Sequence, residues 1–358
     1  MLSARTAVRE MHEYHPPLAG RKGLRLDFNE NTEGCSARVL ARIRAITREE
    51  LARYPEREPV EALVAVHLAL PADQVLLTNG VDEAIHLLCE AYLDPSNEAI
   101  VVSPTFSMYE ILAEATGARV LRVQCGEDLR FPLDKTLASI TPATKLIAIA
   151  SPNNPTGGVA SRDQLLTIAQ AAPSAAILVD EAYYEFDGRT VMPDIVEQSN
   201  LFVARTFSKA YGLAGLRIGI LAGPREQIKL VRRLSSPYSV NGVALAVLPV
   251  ALEDMEYVAQ YVVQIKTGRK RLEQELTSLG IHWWPSEANF ILFHVGVQHR
   301  EFVGAMRQRG ILVRDRSADP GCNGCVRITI GTTPQMDLCL ATLREVSSEL
   351  KLAAEVRA

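Results

Sequence analysis

The stretch Leu201-Phe202-Val203-Ala204-Arg205-Thr206-Phe207-Ser208-Lys209-Ala210-Tyr211-Gly212-Leu213-Ala214-Gly215-Leu216-Arg217 organises the chain. The apolar run Leu201 to Ala204 reads as a buried strand. Thr206 and Ser208 then set two hydroxyls just ahead of a lysine, and Ala210, Gly212, Ala214 and Gly215 let the backbone pass close to another group. These residue types suit an amine nucleophile, Lys209, holding a carbonyl cofactor as a Schiff base. Thr206, Ser208 and Arg217 would grip that cofactor's phosphate. The stretch by itself leaves a second reading open, a solvated surface lysine at a strand end.

Upstream, apolar runs alternate with amphipathic segments. Strands are expected over Val75 to Thr78, Ala99 to Val102, Val120 to Val123, Leu146 to Ala150, and Ala176 to Val179 with Asp180 at its end. Helices are expected over Val81 to Tyr92, Phe106 to Thr116 and Arg162 to Ala171. This alternation predicts an α/β domain whose mostly parallel sheet is covered on both faces. In such sheets ligands bind at the carboxyl ends of the strands, where Gly80, Asp180 and Lys209 fall. Before this region come a short strand (Leu24 to Phe28), a helix from Ala37 to about Leu51 capped by Ser36, and a helix over Pro59 to Ala69. Beyond it, Arg217 to Leu221 reads as a strand and Arg225 to about Leu279 as continuous helical pattern. Strands at Asn289 to Phe293, Ile311 to Val313 and Val326 to Ile330, with helices at Arg300 to Arg309 and Met336 to Leu350, form a second, smaller α/β unit. The expected division is a large domain over 36–265 and a small one built from 1–35 and 266–358.

Composition narrows the function. With 358 residues, 47% hydrophobic and 22% charged, the chain fits an ordinary globular protein of one large and one smaller domain. The net charge of −4 gives no basic excess for nucleic acid. The longest apolar run, near Val243 to Leu252, is too short to span a bilayer, and Met1 to Glu10 lacks the apolar core of a secretory signal, so cytoplasmic residence is expected. The six cysteines are scattered rather than set in a disulfide framework. Cys322-Asn323-Gly324-Cys325 has the C-x-x-C spacing but no second ligand pair, so no metal is expected.

Four further features acquire meaning together. Ser151-Pro152-Asn153-Asn154-Pro155-Thr156-Gly157 follows a strand and presents the Asn154 amide, though an ordinary Asn-Pro turn would look alike. Asp180-Glu181-Ala182-Tyr183 ends a buried strand with a carboxylate, costly unless it meets a cation such as a protonated pyridine; a helix-capping aspartate is the alternative. Asn79-Gly80-Val81-Asp82-Glu83 is a strand-to-helix turn whose free N–H groups favour a phosphate. Arg314 and Arg327 adjoin apolar runs, as a buried pair or as forks for carboxylate or phosphate.

In this order and spacing, Asn154-Pro-Thr-Gly, Asp180-x-x-Tyr183, Ser208-Lys209 and Arg217 resemble the class I and II aminotransferases, pyridoxal-phosphate enzymes of fold type I. The chain is most similar to their histidinol-phosphate aminotransferase group. That likeness rests on Leu26-Asp27-Phe28-Asn29-Glu30-Asn31, Arg53-Tyr54-Pro55, Gly80-Val81-Asp82-Glu83, Pro104-Thr105-Phe106-Ser107-Met108-Tyr109, Gly310-Ile311-Leu312-Val313-Arg314-Asp315 and Gly324-Cys325-Val326-Arg327-Ile328-Thr329.

The resemblance implies a mostly parallel seven-stranded sheet and a smaller C-terminal α/β domain. It implies that Lys209 forms the internal Schiff base with pyridoxal 5'-phosphate and then moves a proton between the substrate α-carbon and the cofactor. Asp180 would pair with the pyridinium nitrogen, and Asn154 and Tyr183 would bond the ring hydroxyl. Val81, Asp82, Thr206, Ser208 and Arg217 would hold the phosphate, with Phe106 stacked on the ring. Tyr54 would reach the neighbouring subunit's site in a homodimer. Arg327 would anchor a glutamate carboxylate and, with Arg314, the phosphate of the other substrate; Asn154, Asn29, in the first of those motifs, and Tyr14 complete the expected substrate-binding set. The implied reaction is ping-pong transamination between histidinol phosphate and 2-oxoglutarate.

Two departures bear on the substrate. Asn31-Thr32-Glu33-Gly34 replaces the group's Asn-Pro-Tyr-Gly, bringing an acidic residue to the mouth of the site, and Phe106 stands where tyrosine is common. An aromatic or other amino-acid aminotransferase and a phosphothreonine decarboxylase are the alternatives on the same fold. A non-catalytic module is disfavoured by intact Lys209, Asp180 and Asn154.

Overall fold

The computed structural model describes residues 2–11, 13 and 20–352. In chain order its strands are β1 (Leu24–Arg25), β2 (Val75–Thr78), β3 (Glu98–Ser103), β4 (Arg119–Gln124), β5 (Thr144–Ala150) and β6 (Ala176–Asp180), then β7 (Leu201–Thr206), β8 (Gly219–Ala222), β9 (Phe290–His294), β10 (Ile311–Leu312), β11 (Arg314–Asp315) and β12 (Cys325–Thr329). Seven of them form one sheet in the order β2-β8-β7-β6-β5-β3-β4. All neighbours pair in parallel except β8, which runs antiparallel to both β2 and β7.

Every residue of β2, β6, β7 and β8 is buried. Helices therefore cover both faces, which is why these strands are apolar throughout instead of alternating. Helix Gly80–Tyr92 packs on one face with Met108–Thr116, burying Ala84, Ile85, Leu87 and Leu88 against Leu76, Val101, Leu178 and Leu221. Helix Arg162–Ala171 lies among the elements of the larger core cluster with Ile147, Ile177 and Val203. The order reverses at β3, which stands between β5 and β4, so the crevice opens where the loops after β3 and β5 diverge.

Beyond the large sheet, β9, β12 and β11 form an antiparallel sheet, and β1 pairs in parallel with β10. The N-terminal strand thus joins elements from the other end of the chain. The 24-residue helix Met255–Ser278 precedes the C-terminal sheet.

Four local readings differ from the structure. The region from Ala37 to Leu51 is two helices, Ala37–Arg44 and Arg48–Ala52, because Thr47 and Glu50 form a capping box that starts the second. The helical pattern from Arg225 is three helices: Arg225–Val231, Gly242–Glu253 capped by Asn241, and Met255–Ser278. Arg217 is not in a strand but left-handed at φ 53°, and β8 begins two residues later. The expected strand at Leu24 stops at Arg25. Among the described residues, no helix is long and apolar enough to cross a membrane.

At the edge of the sheet opposite the carboxyl ends, Asn200 Nδ2 donates to the carbonyls of Ala169, Ala172 and Ala175 at 3.1, 2.9 and 3.0 Å. It fastens the end of helix Arg162–Ala171 to the starts of β6 and β7. Asn200→Ala is expected to lower stability by about 1–3 kcal/mol in denaturant titration, since buried carbonyls lose their donor. Turnover per folded molecule should not change, because the site lies at the other end of the strands.

Candidate active site

Strand register assembles the site. Ala150 lies opposite Asp180, Asp180 opposite Ala204, and Thr206 opposite Gly219. The loops after β5, β6 and β7 therefore leave the sheet side by side. Their side chains, with those following β2 and β3, line one cavity of about 250 Å³: Val81, Asp82, Phe106, Asn154, Asp180, Tyr183, Thr206, Ser208, Lys209 and Arg217. Phe28, Glu30 and Tyr109 line it too. Ten residues singled out in the sequence are thus brought together by three-dimensional structure.

One end of the cavity is a cradle of donors. Thr206 Oγ1 and Ser208 Oγ lie 2.9 Å apart, and the Ser208 N–H donates to Thr206 Oγ1 at 3.1 Å. Helix Gly80–Tyr92 starts here with no side-chain cap among the described residues, a setting whose free N–H groups and dipole favour an anion. Arg217 reaches Asp82 at 3.0 Å. Gly80 is left-handed at φ +76°, and a Cβ there would meet Arg217 Nη2 at 2.6 Å. Gly219 lets β8 pass the same turn, since its Cβ would meet the Gly80 carbonyl carbon at 3.0 Å.

A second pole of the lining is acidic. Asp180 is 4% exposed and accepts from Tyr109 Oη at 2.5 Å and from the Ala182 N–H at 3.0 Å. Next to it, Glu181 turns away to Arg205 at 2.8 Å and to Thr190 and the Val191 N–H. Lys209 Nζ donates to the Phe28 carbonyl at 3.3 Å and lies 5.8 Å from the Tyr183 ring centre. Tyr183 Oη accepts from Asn29 Nδ2 at 2.9 Å. Asn29 itself is buried, left-handed at φ 56°, and tied to Thr329, so it meets the cavity through Tyr183.

The two arginines come from the C-terminal sheet. Arg314 and Arg327 are directly opposite each other on β11 and β12. Arg327 is buried, donates to Asn154 Oδ1, and donates to the Asp27 carbonyl at 2.7 Å, and among the described residues its Nε–H has no partner. Arg314 lies over the Phe28 ring at 5.1 Å and, with Arg300, Arg307 and His299, lines an adjoining cleft of about 640 Å³. Tyr54 lies away from the cavity, 80% exposed and stacked 4.5 Å from Tyr238. Glu33 is exposed and lines a neighbouring groove with Thr32 and Gly34, not this cavity. Tyr14 falls outside the described residues. Cys322 and Cys325 are buried free thiols, and among the described residues no cluster could hold a metal.

The sequence model of the family Aminotransferase class I and II matches residues 21–343. The chain belongs to the class I and II aminotransferases. It groups with histidinol-phosphate aminotransferases. One from Symbiobacterium thermophilum is 36% identical over 353 residues, covering 94% of this chain and 96% of the relative. Another, from Bacillus thuringiensis subsp. konkukian, is 33% identical over 335 residues, covering 92% and 90%. Among solved structures, a histidinol-phosphate aminotransferase from Sinorhizobium meliloti in complex with pyridoxal-5'-phosphate shares the fold at a TM-score of 0.88 and 24% identity, covering 98% of this chain and 99% of that one. The aminotransferase is therefore of fold type I.

Electrostatics separates the two poles of this aminotransferase's cavity. Burial pushes Asp180 up to about 6, against the lowering effect of its Tyr109 and Ala182 hydrogen bonds. Burial pushes Lys209 down to about 8, helped by the Arg327 charge. Burial raises Tyr183 and pulls Arg327 down to about 9, which keeps its guanidinium charged at neutral pH. Tyr109 and the Asn29–Tyr183 and Arg327–Asn154 contacts were not read from sequence; Tyr109 was visible only as part of a motif, without a partner.

These shifts carry a stability cost whose pH window follows from their signs. Asp180 is raised from 3.8 to about 6, so its favourable contribution is complete below about 4 and lost as pH rises through 6. Lys209 is lowered from 10.5 to about 8, so its contribution is complete above about 10.5 and lost as pH falls through 8. Between pH 6 and 8 both groups oppose folding. Asp180→Asn and Lys209→Met should each stabilise the cofactor-free protein at pH 7 by roughly 2–3 kcal/mol. Melting curves should show the Asp180→Asn gain fading toward pH 4 and the Lys209→Met gain fading toward pH 10; a lower melting temperature at pH 7 in either variant would contradict the account.

Proposed function

We propose that this aminotransferase works as a homodimer with pyridoxal 5'-phosphate, passing the amino group of glutamate to the 2-oxo counterpart of histidinol phosphate. The observation that carries the cofactor assignment is the polarity of the cavity. An anion cradle of Thr206, Ser208, Arg217 and a helix N-terminus, the buried Asp180 carboxylate and the Lys209 amine all line the same cavity. A phosphorylated pyridine aldehyde has the complementary groups: a dianion, a basic ring nitrogen and a carbonyl.

When bound, the cofactor supplies an electron-withdrawing ring that stabilises negative charge at the substrate α-carbon. Lys209 Nζ, with its lowered pKa, is in part unprotonated near neutral pH, and so can act as nucleophile and then accept and return one proton. Asp180 would hold a proton at the ring nitrogen by charge. Asn154 and Tyr183 are proposed to bond the ring hydroxyl, and Phe106 to cover one face. Val81 and Asp82 offer backbone N–H groups to the phosphate.

For the substrate, Arg327 has a buried N–H with no partner among the described residues, the feature a carboxylate would satisfy. Arg314 opposite it, with Arg300 and Arg307 in the adjoining cleft, supports a second, phosphate-bearing anion. Glutamate would use Arg327; the phosphorylated partner would use both. Tyr14 belongs to this set as a proposal from sequence alone, and Asn29 would act through Tyr183.

The dimer is supported by what surrounds Tyr54. Helices Arg48–Ala52 and Glu58–His67 expose Leu51, Leu63 and Val66, and Tyr238 is exposed beside Tyr54 itself. Residues 36–265 are proposed as the cofactor-holding domain, with 1–35 and 266–358 as the smaller one that carries the arginines. Cytoplasmic residence belongs to the same proposal.

Lys209→Ala should reduce turnover by about 10³–10⁴-fold while the phosphate contacts still bind cofactor; full activity would sink the assignment. Arg327→Ala should weaken both substrates. Arg314→Ala should lower kcat/KM about 10–100-fold for histidinol phosphate but less than about 3-fold for glutamate. Equal losses would refute that division. A panel of amino donors, read by the cofactor's absorbance change, tests the substrate; preference for an unphosphorylated aromatic amino acid, or carbon dioxide release without a 2-oxo acid, would overturn it.

A further inference from the structure

Tyr109 lies in the first turn of helix Met108–Thr116, one turn beyond Phe106. The two rings meet edge-on, centres 5.8 Å apart at 88°. Tyr109 is 1% exposed, and its hydroxyl donates to Asp180 Oδ2 at 2.5 Å. Among the described residues this is the hydroxyl's sole hydrogen-bond partner. One short segment after β3 therefore presents both a ring to the cavity and a donor to its buried carboxylate.

We propose that Tyr109 is a positioning residue that acts through Asp180: its hydroxyl keeps the carboxylate ionised and fixed, so that the shared proton resides on the cofactor's ring nitrogen. The inference rests on the reading of the cavity as a pyridoxal-phosphate site.

Three observations support it. Asp180 Oδ1 takes the Ala182 N–H and Oδ2 takes Tyr109. Each carboxylate oxygen can accept twice, so a position remains on either for the ring N–H. Next, the other groups facing Asp180 do not help it ionise. Asp82 and Glu181 oppose its charge, although each is paired, with Arg217 and Arg205. Tyr183 is held neutral by burial, while Lys209 and Arg217 line the same cavity without a contact to Asp180. The Ala182 N–H and Tyr109 are the donors that favour the ionised form. Finally, burial and the Asp180 charge keep the Tyr109 hydroxyl protonated, so it can only donate to the carboxylate. A tyrosine present for packing alone would have no effect on where a proton sits in the cavity.

The test uses the holoenzyme loaded with ¹⁵N-labelled pyridoxal 5'-phosphate. Nitrogen NMR between about pH 6 and 10 reads ring protonation directly, beside the rate of the glutamate half-reaction. In Tyr109→Phe the ring nitrogen should lose its proton about one pH unit lower than in wild type, with a roughly tenfold slower half-reaction. Tyr109→3-fluorotyrosine, a stronger donor of nearly the same shape, should shift the transition the other way. In an Asp180→Asn background, Tyr109→Phe should change the half-reaction rate by less than about twofold. Circular dichroism reports whether the phenylalanine variant is folded, and the fluorotyrosine variant carries the test if it is not. An unchanged nitrogen transition in a folded variant, or an equal rate loss in the Asp180→Asn background, overturns the proposal. A wild type that takes up no cofactor overturns the cofactor reading, and this inference with it.

Discussion

The constraint on which the structure turns is the placing of buried Asp180 and half-buried Lys209 in one cavity without a contact between them or an ion pair to either among the described residues. A carboxylate at the end of an apolar strand and an amine against a backbone carbonyl both give up hydration, and burial shifts both toward their uncharged forms. A protein selected for stability alone would place apolar residues at these positions. Here the surroundings are organised to hold the charges. Glu181, adjacent to Asp180, is drawn to the far side by Arg205, Thr190 and the Val191 N–H. Arg205 in turn lies 3.4 Å over the Tyr184 ring. That arrangement pairs the second carboxylate outside the cavity lining, although Asp180 still feels its charge.

Register in the sheet converts this constraint into geometry. Because Ala150, Asp180 and Ala204 are cross-strand neighbours, the loops bearing Asn154, Asp180 and Lys209 start from a common line. Antiparallel β8 closes the arrangement, with Gly219 close against the Gly80 turn and Arg217 folded back to Asp82. A strand through Arg217 would have pointed its side chain along the sheet normal; the left-handed turn aims it at the cradle instead.

What was legible in the sequence follows from how far apart the interacting parts lie. Asn154, Asp180, Ser208, Lys209 and Arg217 each stand within a few residues of an apolar strand, so strand order and short-range motif sufficed to gather them. The alternation from Val75 to Thr206 likewise carried the parallel sheet, since period and run length are local signals. Less was visible where a local competitor wins. The Thr47–Glu50 capping box divides a region whose apolar periodicity looked continuous, and Asn241 starts a helix inside what read as one. Least visible were contacts between remote segments. Tyr109 reaches Asp180 across 71 positions, and Arg327 reaches the Asp27 carbonyl across 300. No periodicity encodes such pairs; only the packed fold does.

Those remote contacts also explain why the cavity around Lys209 is more legible in the sequence than the setting of Arg314 and Arg327. The former is held by loops of one sheet, whereas the latter joins two. Arg314 and Arg327 are like charges directly opposite each other, and Arg316 adds a third nearby, an unfavourable set in an isolated ladder. Phe28 and Phe290 rings, the Asn154 amide, the Asp27 carbonyl and Asp319 offset it only in part, and among the described residues the Arg327 Nε–H remains unsatisfied. A bound anion would supply the missing acceptor and relieve the repulsion together. Because Arg327 also grips Asn154, that relief is felt by the loop after β5, one of the walls around Lys209. An anion held there would therefore bear, through the Arg327–Asn154 contact, on the position of the wall beside Lys209.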